Sequence, residues 1–374
     1  MNKAIDTKDK LLFTPGPLTT SLSTKMAMLT DVGSRDEDFA SLVKSIENRL
    51  LRLAQCNGKD YAAILTPGSG TYGVESVISS ALGEHESLLI LENGAYGKRM
   101  QSIAQAHKIN YQVMSFPEDQ VFDVGLVEKR LSNTCFQYVA MVHCETSAGV
   151  LNPLEEIGRL CKNYNVGLIV DAMSSFGGIP IHVPDLSISF LVSSANKCIE
   201  GVPGFSFVIA EIEKLNTCEG KSRTLSLDLY EQYRAFLHDG RFRFTPPTHA
   251  ILAFSKALDL LDDEGGVVMR NKRYQENHLT LVARMEEMGF SCFVKQEHQS
   301  PIITTFCYPD TPLFNFEDFY QRLKSLGFVI YQGKLSHANC FRVGCIGHLF
   351  AKDVENLVSA IKRVCMDMGI SLLR

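Results

Sequence analysis

The sequence predicts an α/β protein, with a large, mostly parallel sheet covered by helices on both faces and a smaller α+β domain after it. Two observations carry this. Between about residues 60 and 210, short and continuously apolar runs alternate with segments of helical periodicity, as in strands buried on both faces of a parallel sheet. After Thr245-Pro246-Pro247 the texture changes to shorter elements around one long amphipathic stretch. At 374 residues the chain is long enough for two domains. They are drawn at residues 20–255 and 256–374, with segment 1–19 joining them.

In chain order, the strands are YAAIL (61–65), SLLILE (87–92), YQVMSF (111–116), YVAMVH (138–143), VGLIVD (166–171), SFLVSS (189–194) and FSFVIA (205–210). Leu154 to Tyr164 carries helix periodicity between two of them. The helix ILAFSKALDLLDDEGG ends in Gly265 and Gly266, a glycine pair suited to a C-cap. A second helix from Val267 to Met288, stopped by Gly289, is expected to make the junction. Beyond it come SCFVK, IITTF, a helix near 316–325, FVIYQ, CFRVG and a last helix near 351–367.

Hydrophobic residues at 45% and charged residues at 21% are those of a soluble globular protein and exclude disorder and fibrous repeats. A net charge of −5 leaves no basic footprint for nucleic acid. The N-terminus has no signal-peptide core, and no apolar run reaches membrane-spanning length, so a cytoplasmic protein is expected. The 11 cysteines are odd in number and lack C-x-x-C spacing; they read as reduced, mostly buried side chains, with no metal site expected.

The stretch Thr66 to Ser76 (TPGSGTYGVES) follows a strand and opens a helix, where free N–H groups and the helix dipole suit a phosphate. It is not a Walker loop, because no G-K-[ST] ends it. Its glycines at 68, 70 and 73 have the G-x-G-x-x-G spacing, but no acidic residue ends a following strand about 20 residues on; Glu92, the nearest candidate, keeps a dinucleotide site open, and an ordinary strand–helix turn stays open too. Asp171 ends VGLIVD, at the sheet edge where α/β ligands bind, or alternatively caps a helix. Lys197 follows SFLVSS with small residues before it and glycines after it. A lysine to form a Schiff base and a carboxylate to hold a pyridine nitrogen protonated together point to pyridoxal phosphate. Tyr96 in NGAYGKRM could stack on the ring.

The chain resembles the class V aminotransferases, fold-type-I pyridoxal phosphate enzymes, nearly end to end. The resemblance rests on LLFTPGPLTTS (11–21), the Thr66–Ser76 loop, NGAYGKRM (93–100), HCETSAG (143–149), VDAMSSFGG (170–178), SSANKCIEGVPGFSFV (193–208), FRFTPPTH (242–249) and FRVGCIG (341–347). It implies that Lys197 forms the Schiff base and shuttles the proton, that Asp171 pairs with the pyridinium nitrogen, and that Tyr96 stacks on the ring. It further implies that Ser69, Gly70 and Thr71 hold the phosphate, with Thr245 contributed by the partner of a homodimer whose active site lies at the subunit interface. Thr146 would lie near the phenolic oxygen, Ser194 would be a further phosphate contact, and Arg342 would anchor the anionic end of the substrate. A guanidinium fork suits carboxylate and phosphonate alike. The partners implied are a small amine donor and a 2-oxo acid. LLFTPGPLTTS, HCET and FTPPTH lean to the branch that moves the amine of 2-aminoethylphosphonate to pyruvate, with alanine– or serine–glyoxylate aminotransfer as the alternative.

Two positions depart from the pattern. Ala148 replaces a hydroxyl residue in HCETSAG, and Arg35 is either a second anion contact or, as the preferred reading, a surface ion pair. His143, His249 and Cys198 read as packed or hydrogen-bonded side chains. A cysteine desulfurase would need Cys340 or Cys345 on a mobile loop, and both flank the Arg342 strand. A non-catalytic amine sensor would normally bring a DNA-binding domain, for which the chain has no spare segment.

Overall fold

The computed structural model describes residues 10–333, 335 and 338–370. All seven apolar runs become strands of one seven-stranded sheet. They are β1 (Tyr61–Pro67), β2 (Ser87–Glu92), β3 (Asn110–Ser115), β4 (Tyr138–Val142), β5 (Gly167–Asp171), β6 (Ile188–Ser194) and β7 (Phe205–Glu211). Their order is β1-β7-β6-β5-β4-β2-β3. Strands β2 to β6 pair in parallel, whereas β7 is antiparallel to both its neighbours, β1 and β6. Chain length explains the reversal: only residues 195–204 separate β6 from β7, fewer than the dozen or more that a parallel crossover needs.

Burial on both faces holds for the central strands, and successive residues enter opposite cores. Leu89, Val139, Val170 and Leu191 face a layer that includes Phe39 and Ile46 of α1 (Glu37–Leu53). Ile90, Ala140, Ile169 and Val192 face α2 (Gly70–Ala81) and α3 (Ala95–Ala106) through Val74, Val77, Met100 and Ile103. The edge strand β3 departs from the expectation, since its residues are exposed or half-buried.

Helix α4 (Thr248–Asp263) packs Ile251, Phe254, Leu258 and Leu261 into the large sheet's core, so the boundary drawn at 255/256 falls inside it. Gly265 and Gly266 take positive φ angles, 102° and 77°, and turn the chain into α5 (Gly266–Glu287). Helix α5 spans two cores: Tyr274 packs with Leu18, Cys198 and Ile346, while Leu281 and Met285 pack with Phe306, Phe341 and Val354.

A second, antiparallel sheet has the order β8 (Ile303–Cys307), β10 (Cys340–Gly344), β9 (Tyr331–Gln332), and is covered by α6 (Ala351–Asp367). Two expected strands differ. SCFVK forms an isolated bridge, Cys292 to Phe306. FVIYQ is split, because Phe328–Val329 pairs with Leu11–Leu12 while Tyr331–Gln332 pairs with β10. The N-terminal segment from residue 11 therefore lies along the second sheet, with Gly344 N–H donating to the Phe13 carbonyl at 3.0 Å. The first nine residues of the expected joining segment lie outside the described residues.

Candidate active site

Strands β1, β5 and β6 end at the carboxyl edge of the sheet, where open α/β folds place ligands. A cavity of ≈ 260 Å³ opens there. Its walls bring together Ser69, Gly70 and Thr71 after β1, Tyr96 after β2 and Thr146 after β4. Asp171 at the end of β5, and Ser194 and Lys197 from the end of β6 onward, complete it.

Ser69 is the extended residue before α2, and Gly70 and Thr71 form the helix's first turn, whose N–H groups have no intrahelical acceptor. A Cβ at Gly70 would meet the Met173 thioether, which would have to move aside, so glycine lets the helix start close to the Asp171 strand without shifting that side chain. Asp171 accepts from Met173 N–H at 2.9 Å. Burial pushes its carboxyl up to about 6, against the pull of that N–H and of the Lys197 and Arg99 charges. His143 supports the strand end: its N–H donates to the Asp171 carbonyl at 2.9 Å, and its ring pairs with Ser175 at 3.0 Å. Burial lowers the His143 pKa to about 4, so the ring is neutral at pH 7.

Lys197 faces the cavity on one side and is enclosed on the others. Burial lowers its pKa to about 8, and Arg342 adds to the effect while Cys198, Asp171 and Cys144 oppose it. Its Nζ donates to the Pro15 carbonyl at 2.7 Å. Gly16 makes that approach possible, because an added Cβ would sit 2.7 Å from Lys197 Cδ and 2.9 Å from Nζ.

Tyr96 lies in the first turn of α3, which is tied down by a carboxylate. Glu145, with no exposed surface, accepts from the N–H groups of Tyr96 at 3.1 Å and Gly97 at 3.4 Å. Arg99 covers the Tyr96 ring with its guanidinium carbon 4.8 Å from the centroid and donates to Thr71 Oγ1 at 3.1 Å. Sequence reasoning missed both Arg99 and Glu145; Arg99 is signalled only by its i, i+3 spacing from Tyr96.

Arg342 is 2% exposed and sits on β10 beside the cavity. Its Nη1 donates to the Thr146 carbonyl at 2.8 Å, while Nε and Nη2 donate to the Gln332 carbonyl at 3.2 and 3.1 Å. A guanidinium has five N–H groups, so two of those of Arg342 have no partner among the described residues. Thr245 is not brought to this cavity; it lies in a surface groove with Arg35, Arg234, Arg241 and Arg243. Ala148 is buried in a small apolar cluster with Val150 and Val294, outside the cavity wall. Cys198 is fully buried with its thiol directed to the Ser174 carbonyl, and burial pushes its pKa up. The cavity thus offers an anion cradle, a carboxylate, an aromatic face and an amine to one small, flat, anionic ligand, with a guanidinium beside it.

The family model of class-V aminotransferases matches residues 26–341. The chain belongs to this family. It is 50% identical over 357 residues to a 2-aminoethylphosphonate–pyruvate transaminase of Phocaeicola vulgatus, covering 95% of this chain and 98% of that one. A Bacteroides fragilis protein of the same description is 49% identical over 358 residues, 95% of this chain and 99% of its own. Among solved structures, an alanine–glyoxylate aminotransferase from Nostoc sp. superposes with a TM-score of 0.89 at 27% identity, over 97% of each chain. The class V aminotransferase fold therefore runs through nearly the whole chain, and no helix among the described residues is long and apolar enough to cross a membrane.

Proposed function

We propose that the protein transfers the amino group of 2-aminoethylphosphonate to pyruvate, giving phosphonoacetaldehyde and L-alanine, with pyridoxal 5′-phosphate as cofactor. The observation that carries this reading is the single cavity that holds both the Lys197 amine and the Asp171 carboxylate next to the start of α2, with buried Arg342 alongside. The alanine–glyoxylate alternative uses the same cofactor residues; the similarity to the phosphonate transaminases over nearly the full chain favours the phosphonate.

The donor set fits the cofactor. Ser69, Gly70 and Thr71 would hold its phosphate at the helix N-terminus, with Ser194 nearby and Thr245 reaching in across a homodimer interface. Tyr96 would cover one face of the ring, and Thr146 would approach its phenolic oxygen. When bound, the cofactor supplies an electron sink for the bond-breaking step. Asp171, ionised above about pH 6, would hold the proton on the ring nitrogen. Lys197 Nζ takes the proton from the amine-bearing carbon of the donor and hands it on. With its pKa at about 8, roughly a tenth of a free Lys197 amine is unprotonated at neutral pH, far more than an ordinary lysine provides. Arg342 presents its two remaining N–H groups to the phosphonate in one half-reaction and to the pyruvate carboxylate in the other.

The test is product analysis. Cofactor-loaded enzyme with 2-aminoethylphosphonate and pyruvate is expected to form phosphonoacetaldehyde and alanine in equal amounts, followed by phosphorus and proton NMR. Turnover of alanine or serine with glyoxylate, without any of the phosphonate, would replace the substrate and keep the reaction class.

A further inference from the structure

Behind the Lys197 turn, outside the cavity wall, lies a group of four charges, of which Glu200 and Arg270 are buried and Arg273 and Glu264 half-buried. Glu200, three residues past the lysine, is 4% exposed. Its Oε1 accepts from Arg273 Nη2 and Tyr274 Oη, both at 2.8 Å, and lies 3.4 Å from Arg270 Nη1. Glu264, between α4 and α5, accepts from Arg270 Nε at 2.6 Å and Arg273 Nε at 2.7 Å. The two arginines and two glutamates balance in charge.

Contacts to the backbone leave this cluster in two directions. Toward the lysine, Arg270 Nη1 donates to the Cys198 carbonyl at 2.7 Å, and the Tyr274 hydroxyl, whose one proton goes to Glu200, lies 3.3 Å from the same carbonyl. Glu200 N–H closes the turn by donating to the Lys197 carbonyl at 2.7 Å. Glu200 does so at a φ of +66°, a conformation that a residue with a Cβ keeps only where its surroundings over-determine it. Toward β10, Arg273 Nη1 donates to the carbonyls of Gly347 and Leu349 at 2.7 and 2.8 Å. Gly347 N–H in turn donates to Tyr274 Oη at 3.3 Å. Gly347 lies three residues past the end of the strand that carries Arg342.

Stability alone does not account for such a cluster, since buried ion pairs are on balance no better than apolar packing of the same volume. What charged hydrogen bonds add is direction. We propose that Glu200, Arg270, Arg273, Tyr274 and Glu264 form a positioning device that sets the Lys197 turn against the Arg342 strand across the domain junction. The amine that moves the proton and the guanidinium that anchors the substrate then keep their separation while α5 spans both cores. These are positioning residues, and none of them lines the cavity.

The test uses the pyridoxal phosphate-loaded enzyme and Tyr274→Phe, which keeps the packed ring and removes the hydroxyl shared by Glu200, Cys198 and Gly347. The expected result is a fall in kcat of about tenfold, as for a misplaced proton-transfer group, with KM for the amine donor held within about twofold. The pH titration of the bound cofactor's absorbance is expected to shift its midpoint, because the Lys197 nitrogen has moved. A loss of thermal stability with kcat and midpoint both unchanged would overturn the proposal, as would a rise in KM alone. Glu200→Gln keeps an acceptor but removes the charge; it is expected to move kcat and midpoint in the same sense, and leaving both unchanged overturns the proposal equally. The inference rests on Lys197 binding the cofactor. Lys197→Ala tests that separately: retention of a borohydride-fixed cofactor there would defeat the proposed function, whereas an unchanged Tyr274→Phe would defeat only the positioning.

Discussion

Replacing Arg342 by lysine keeps a positive charge and removes the fork. In the structure the guanidinium spends three N–H groups on the carbonyls of Thr146 and Gln332, and the proposed function gives the other two, which have no partner among the described residues, to an incoming anion. An ammonium has three N–H groups on a single atom and cannot satisfy both carbonyls while presenting a pair. Each charge-assisted hydrogen bond is worth about 1.5–3 kcal/mol. Losing one per substrate therefore corresponds to a weakening of roughly 10- to 150-fold at about 1.36 kcal/mol per factor of ten. Because one arginine serves both half-reactions, the KM values for 2-aminoethylphosphonate and for pyruvate should rise together. Initial rates over a grid of both substrates measure this, and a melting curve checks that the variant is folded. A change confined to one substrate, or KM values within about twofold of wild type for both, would refute the reasoning.

Three further outcomes follow from the site. Asp171 has its pKa raised by burial from 3.8 to about 6, so the folded state holds a proton that the unfolded chain releases, and stability falls as pH rises through that window. Asp171→Asn should therefore stabilise the cofactor-free protein at about pH 7.5, by up to about 3 kcal/mol, with no gain near pH 3.5, while kcat drops by roughly 100-fold or more; melting curves at the two pH values check the sign. Gly16→Ala places a Cβ 2.7 Å from Lys197 Cδ at a φ of +123°, and should cost about 1–3 kcal/mol of stability and displace the lysine, seen as a lower melting temperature together with a lower kcat. Lys197→Ala should fold normally, lose at least about 1,000-fold in kcat, and fail to retain cofactor after borohydride reduction, as mass spectrometry would show.

Much of the scaffold was legible because buried strands announce themselves: all seven apolar runs pair in the sheet, within one or two residues of their expected ends. The reversal of β7 follows from the shortness of loop 195–204, a length the sequence also contains. The split of FVIYQ was not legible, since it depends on Leu11–Leu12, far away in the chain, claiming half of the run. In the site, residues inside motifs with distinctive chemistry, such as Asp171 and Lys197, stood out. The Pro15 carbonyl that holds the lysine is backbone and leaves no mark in residue type. Glu145 and Glu200 read as ordinary acids until the fold buries them against the N–H groups of α3 and the arginines of α5. Thr245 shows the opposite case: its motif is clear, but within one chain it lies away from the cavity.

The central claim is the substrate, and a single half-reaction tests it most directly. Enzyme loaded with pyridoxal phosphate is mixed with 2-aminoethylphosphonate, without pyruvate, and the cofactor absorbance is followed, with alanine and serine in parallel. The account predicts rapid conversion to the pyridoxamine form by the phosphonate, slower conversion by alanine and none by serine. Conversion by alanine or serine with the phosphonate inert would contradict it.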